Sequence, residues 1–212
     1  MAGKKSKIWN LPNKLTMARM LSVPIFMVVM LLPESVLPFV ALRAIGALLF
    51  ILTSITDMLD GKIARKYGLI TDFGKFMDPI ADKIMVFGAM ICLLVRCPEH
   101  WLMYLVMISV TVFREFTVTS MRLIMASRST VVAANSLGKI KTVAQIVFIV
   151  AALIEPSIYY FIENTFLGGS PIAFAPYVPL TYLCAVVTLV FTVWSGANYI
   201  CTYWKYLDED KD

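Results

Sequence analysis

Residues 57–82 read DMLDGKIARKYGLITDFGKFMDPIAD, and the four carboxylates of this stretch decide how the chain is read. Asp57 and Asp60 are spaced i, i+3, and Asp78 and Asp82 are spaced i, i+4. On helices, each pair lies along one face. Gly61, Lys62, Arg65 and Lys66 follow the first pair directly. Gly68 marks a turn, and Thr71 and Gly74 stand near the start of a second helix. Apolar runs flank the whole segment. Four acids beside a bilayer are costly unless something cationic binds them. The residues therefore point to one or two divalent cations on oxygen ligands, with basic groups close by for phosphates.

The chain has 212 residues, is 59% hydrophobic and has a mean hydropathy of +0.79. That exceeds a soluble globular composition and provides for roughly five to seven spans of about 20 residues. We expect one all-α membrane-embedded domain over residues 1–212, without a soluble appendage and without a nucleic-acid partner. The first apolar run ends at Pro33-Glu34 without a small-residue cleavage site, so it reads as a retained span.

Charge is distributed unevenly along the chain. Lys4, Lys5, Lys7, Lys14 and Arg19 precede or open the first span. Lys62, Arg65, Lys66, Lys75 and Lys83 surround a second connection, and Arg122, Arg128, Lys139 and Lys141 a third. Arg43 and Arg96 fall near the opposite ends of spans, together with Glu34, Glu99, Glu155 and Glu163. The asymmetry places both termini and the acid-rich segment in the cytoplasm, with an even number of spans. Cys92, Cys97, Cys184 and Cys201 lack metal or redox spacing and read as small apolar helix residues. The lone His100 excludes a multi-histidine metal site.

Residues 1–10 suggest a short interfacial helix. Six spans follow, the first starting at Pro12 and Asn13 and the last covering residues 177–199. The apolar run of the third span, residues 84–95, gives about 18 Å of helix against a core of about 30 Å. Its helix must begin near residues 72–78 and carry Asp78 and Asp82 into the inner part of the bilayer. Pro79 is tolerable if it lies near the first turns. Spans two to five all turn polar at a similar depth, which implies a cavity open to the cytoplasm, acidic on one wall and basic on another. Hard oxygen ligands favour Mg²⁺ or Mn²⁺. Two such cations on a pyrophosphate would stabilise in-line displacement at phosphorus, and a carboxylate could take a proton from an attacking hydroxyl. An ion or proton pathway also uses intramembrane acids, and on spacing alone phosphoryl chemistry stands only modestly ahead of it.

Asp57-x2-Asp60-Gly61-x2-Ala64-Arg65-x8-Gly74-x3-Asp78-x3-Asp82 resembles, at every specified position, the signature of the CDP-alcohol phosphatidyltransferases. The resemblance implies a six-helix membrane enzyme, usually a homodimer, that displaces CMP from a CDP-linked lipid with an alcohol. It implies that Asp57, Asp60 and Asp78 hold two divalent cations, and that Asp82 is the base and also touches the second metal. It further implies that Gly61, Arg65, Gly74 and Thr71 line the cytidine diphosphate site. Asn13-Lys-Leu-Thr16-x2-Arg19, the KFMDPIADK run, and Arg114-Glu115, Arg122 and Gly138-Lys139-x-Lys141-Thr142 resemble the branch of that family whose acceptor is glycerol 3-phosphate. That resemblance covers roughly residues 10–145, the core site region, and leaves the last third as membrane scaffold.

For the acceptor phosphate the first choices are Arg114, Lys139 and Lys141, then Arg122, with Thr117 or Thr119 as hydroxyl donors. Asn13, Thr16 and Arg19 are further candidates. An ion pair between Arg114 and Glu115, and an interfacial anchoring role for Arg19, are the bland rivals. Purely structural pairing of the four acids would need several buried cations and still be costly. We expect a bacterial inner-membrane enzyme that transfers the phosphatidyl group of CDP-diacylglycerol to glycerol 3-phosphate. The alternatives are another acceptor (phosphatidylglycerol, inositol phosphate or serine), a divalent-cation transporter, and a catalytically dead scaffold. A transporter would carry polar residues into the outer halves of the spans. The reading predicts that Asp82→Asn abolishes turnover while largely preserving nucleotide binding; loss of binding with the fold intact would make Asp82 chiefly a metal ligand.

Overall fold

The computed structural model describes residues 10–67, 71–127 and 136–204. Within them, the side chains of Asp60, Ala64, Arg65, Lys75 and Ser127 lie outside the description. The expected interfacial helix at the N-terminus and the turn around Gly68 also lie outside the described residues. Among the described residues six α-helices follow one another: α1 (Leu11–Leu31), α2 (Phe39–Lys66), α3 (Asp72–Arg96), α4 (Trp101–Ser127), α5 (Ser136–Thr165) and α6 (Pro179–Tyr203). No strand occurs among the described residues.

Local chemistry sets the helix starts. The Asn10 side chain accepts from the Asn13 amide at 2.9 Å, and Pro12 sits in the first turn of α1. The Thr71 hydroxyl accepts from the Gly74 amide at 3.1 Å and caps α3. α3 therefore begins at Asp72, as the short apolar run demands. Pro79 lies inside α3 rather than in its first turn.

Short connections make successive helices run up and down. α1 packs on α2 and α3, α5 packs on α2 and α6, and α4 packs on α6 and α3. The apolar core includes Phe26, Phe50, Met90, Leu93, Tyr104, Phe148 and Leu153. Large apolar side chains also cover the outside, among them Leu21, Phe113, Phe116 and Leu123. An apolar exterior around an apolar interior is the signature of a chain dissolved in lipid. Among the described residues, five helices are long and apolar enough to cross a membrane; α3, 25 residues long, interrupts its apolar face with Asp78, Asp82 and Lys83.

α5 runs through Glu155-Pro156 and continues to Thr165. Proline lacks an N–H and so orphans the carbonyl four residues earlier, here Ala152. Arg43 Nη1 of α2 donates to that oxygen at 2.9 Å, which supplies the missing bond. Glu155 is buried and occupied locally. It accepts from the Leu180 amide (2.9 Å), the Thr181 amide (2.7 Å), the Thr181 hydroxyl (2.7 Å) and the Tyr159 hydroxyl (2.8 Å). A carboxylate here satisfies the orphan amides of α6 and complements its dipole. Glu155→Ala should leave those donors unpaired and destabilise the protein by about 3 kcal/mol. Thermal unfolding in detergent measures this, and an unchanged midpoint would contradict the capping role.

Candidate active site at the polar end of the bundle

The end formed by the start of α1, α3 and α5 and the end of α2, α4 and α6 carries two charged clusters. The first is acidic. α1 presents Asn13, Thr16 and Arg19 at three-residue intervals, and all three are buried. That spacing puts them on one face, directed at α2 and α3. The Thr16 hydroxyl donates to Asp78 Oδ1 at 2.7 Å and lies 3.1 Å from the Pro12 carbonyl. Arg19 Nη1 contacts Asp57 Oδ1 at 2.5 Å and Asp82 Oδ1 at 2.6 Å. One nitrogen thus draws together carboxylates from two helices. The Arg19 side chain is 0% exposed, whereas Asp57 and Asp82 are 40% and 50% exposed. The cation is sealed behind the acids, and the acids face outward.

Asn13 joins the start of α1 to the start of α3. Its amide nitrogen donates to Thr71 Oγ1 at 2.8 Å, and the Thr71 hydroxyl lies 3.0 Å from Asn13 Oδ1. A Cβ on Gly74 would sit 2.9 Å from Asn13 Oδ1 and 3.3 Å from Thr71 Oγ1. Gly74 is therefore needed for helix packing, whatever else borders it. Gly61 is half-buried on α2, and the side chains of Asp60 and Arg65 lie outside the described residues.

The second cluster is basic and forms around Glu115 of α4. Arg114 Nη1 donates to Glu115 Oε1 at 2.9 Å, and Lys141 Nζ of α5 donates to the same oxygen at 2.7 Å. Lys83 Nζ of α3 lies 4.0 Å from Glu115 Oε2 and donates to Thr119 Oγ1 at 3.0 Å. Three cations thus share one carboxylate, and the cluster stays net positive. Arg114 and Glu115 do form the expected ion pair, but Lys141 joins it. Arg114 Nε is buried without a hydrogen-bond partner among the described residues. Lys139 is exposed, Thr117 bonds back to the Phe113 carbonyl at 2.8 Å, and Arg122 donates to the Tyr199 hydroxyl at 3.2 Å.

α6 does more than the scaffold role read from the sequence. Arg114 Nη2 donates to Ser195 Oγ at 2.7 Å, and a Cβ on Gly196 would lie 3.2 Å from Arg114 Cγ. Ser195 and Tyr199 hold two of the basic residues. Neither carries a sequence signal, because serine and tyrosine in an apolar helix look like ordinary packing or interface residues. Lys83, which the sequence places in the charge asymmetry and in the KFMDPIADK run without a site role, ties the two clusters together from the position next to Asp82. Among the described residues, no three acidic, histidine or cysteine side chains come together as a metal group. Asp57 and Asp82 converge, while the Asp78 carboxylate is held by Thr16.

Glu115→Gln should leave Lys141 and Arg114 buried around a neutral group and cost about 3 kcal/mol. Thermal denaturation measures this; a loss within about 0.5 kcal/mol, the level of an ordinary surface change, would show that Glu115 does not organise the cluster.

Comparison with known proteins places this geometry in context. A family model described as CDP-alcohol phosphatidyltransferase matches residues 9–194, which includes most of α6. The chain is 40% identical over 210 residues to the CDP-diacylglycerol–glycerol-3-phosphate 3-phosphatidyltransferase of Bacillus subtilis (strain 168), covering 94% of this chain and 98% of that one. It is 40% identical over 136 residues to a protein of the same name from Rickettsia felis, covering 64% of this chain and 70% of that one. It is 32% identical over 196 residues to another from Shigella flexneri serotype 5b, covering 91% and 93%.

Proposed function

Because the chain belongs to the CDP-alcohol phosphatidyltransferase family, we propose that it is the phosphatidylglycerophosphate synthase of a bacterial membrane. It transfers the phosphatidyl group from CDP-diacylglycerol to glycerol 3-phosphate and releases CMP. The observation that carries this reading is the pairing of an acidic and a basic cluster at one end of the bundle, linked through the adjacent Asp82 and Lys83. The acids suit a cation-bound pyrophosphate, and the surplus positive charge suits the second phosphate on the acceptor.

The donor set fits a hard divalent cation. Asp57 and Asp82 already converge on one cationic nitrogen, and both offer carboxylate oxygens. Asp57, Asp60, Asp78 and Asp82 would hold Mg²⁺ or Mn²⁺, two per active site. When bound, these cations neutralise the pyrophosphate and stabilise charge on the departing CMP. The chain's own groups do the rest. Gly61 and Arg65 on α2 receive the cytidine diphosphate, with Thr71 and Gly74 at its border. Arg114, Lys141 and Lys139 bind the phosphate of glycerol 3-phosphate, with Arg122, Thr117 and Thr119 around them. Asp82 is half exposed, so the primary hydroxyl can reach its carboxylate and lose a proton to it. That oxygen attacks the phosphorus bonded to the lipid, the bond to CMP breaks, and CMP carries away the electron pair. Arg19 holds Asp57 and Asp82 in register throughout, and Thr16 does the same for Asp78.

All six helices, α3 included, cross the membrane in this reading. Both termini and the polar end face the cytoplasm, and the enzyme works as a homodimer. The transporter alternative would need polar residues in the outer halves of the spans, and the buried Glu155 at that end is consumed by helix capping.

The test is CMP release from CDP-diacylglycerol by the purified protein with Mg²⁺, offering glycerol 3-phosphate, inositol phosphate, serine or phosphatidylglycerol. We expect release that depends on glycerol 3-phosphate, with a lipid product of matching mass. Release driven by another acceptor would overturn the acceptor assignment and keep the acid-cluster chemistry. Ser195→Ala should raise KM for glycerol 3-phosphate roughly fivefold with little change in KM for CDP-diacylglycerol, since it frees Arg114 without touching the acids. An equal rise in both KM values would place Ser195 in general packing.

A further inference from the structure

Two basic residues, Arg43 and Arg96, stand at the end of the bundle away from the acid cluster, and the reaction proposed above uses neither. The fold brings both to one cavity of about 340 Å³, walled by the far ends of α2 to α6. Phe39, Tyr104, Glu99 and His100 line it with them. A volume of that order is typical of a small ligand pocket.

Arg43 is buried at 5% exposure. Among the described residues, the contacts of its guanidinium are to neutral groups. Nη1 donates to the Ala152 carbonyl at 2.9 Å and Nη2 to Cys97 Sγ at 3.0 Å, and the guanidinium carbon lies 4.6 Å from the Phe39 ring centroid. Among the described residues no carboxylate pairs with it. A buried guanidinium without a counter-charge is costly, and a sulfur or ring offsets little of that cost. The Ala152 carbonyl explains why a donor stands there. It does not explain why that donor is a cation beside a ligand-sized cavity. Arg96 adds a second guanidinium at 24% exposure, and His100 is 11% exposed. The acids opposite them compensate weakly. Glu34 lies 4.0 Å from Arg96 and Glu99 lies 4.0 Å from His100, and both carboxylates are mostly exposed.

We propose that this cavity binds a phosphate group, held by Arg43 inside and Arg96 at the rim. Guanidinium forks match phosphate oxygens in geometry and charge, which suits a phosphate ester with a small polar body. Such a group can arrive on a phospholipid headgroup or as a soluble phosphate. The site is separate from the reaction centre and does not depend on which acceptor the enzyme uses.

The test is the thermal midpoint of the full chain in phosphate-free neutral detergent. The probes are inorganic phosphate, short-chain phosphatidylglycerol, short-chain phosphatidylcholine, and short-chain diacylglycerol as the phosphate-free control. The variants are Arg43→Lys, which keeps the charge but not the fork, Arg96→Gln at the rim, and Lys139→Gln at the opposite end. We expect a phosphate-bearing probe to raise the midpoint of the unaltered protein and of Lys139→Gln, with diacylglycerol inert. The apparent Kd should weaken roughly tenfold in Arg43→Lys and in Arg96→Gln. A rise with inorganic phosphate identifies a soluble ligand, and a rise with the lipids alone identifies a headgroup. The proposal is overturned if no phosphate-bearing probe raises the midpoint, if diacylglycerol raises it equally, if the rise disappears in Lys139→Gln, or if Arg96→Gln binds as tightly as the unaltered protein.

Discussion

One ion triad carries the polar end of this protein: Arg19 of α1 between Asp57 of α2 and Asp82 of α3. Two carboxylates from neighbouring helices would repel one another strongly in a medium of low dielectric. A single guanidinium, sealed from solvent behind them, makes their approach tolerable. α1 is therefore more than a first membrane anchor. Its buried face offers Asn13 to Thr71, Thr16 to Asp78 and Arg19 to the other two acids, so the helix acts as a template along which the acid-bearing ends of α2 and α3 align. The other sides of Asp57 and Asp82 are left exposed.

The basic cluster follows the same rule with the signs reversed. Glu115 gathers Arg114, Lys141 and Lys83 from three helices, and without it those cations would not pack together. One acid cannot neutralise three cations, so the cluster is held in place yet stays attractive to an anion. Each cluster thus contains a minority charge whose task is positioning, and a majority charge suited to a ligand.

The far end shows how one residue can serve both helix and site. Pro156 orphans the Ala152 carbonyl, Arg43 repairs it, and the repair brings into a cavity a cation with which, among the described residues, no carboxylate pairs. Glu155, one residue before the proline, closes the start of α6 with three accepted hydrogen bonds and takes a fourth from Tyr159 of α5. A sequence reading sees Glu155-Pro156 as a helix stop. The tertiary contacts of both positions let α5 run on.

Periodicity and composition determined much of this protein. The apolar run lengths set the number of long helices, the i, i+3 and i, i+4 spacing of the aspartates set their common faces, and the short run at residues 84–95 set the early start of α3. Local rules suffice there, because hydropathy, helix period and capping depend on neighbours in the chain. What the tertiary structure decided is which partner each charge meets. That Arg19 bridges two aspartates, that Ser195 and Tyr199 hold Arg114 and Arg122, and that Arg43 replaces a proline's missing donor are contacts between helices far apart in sequence. No spacing rule encodes them. In a low-dielectric interior an uncompensated charge is so costly that the arrangement of the helices, more than any motif, settles where each charge is paired.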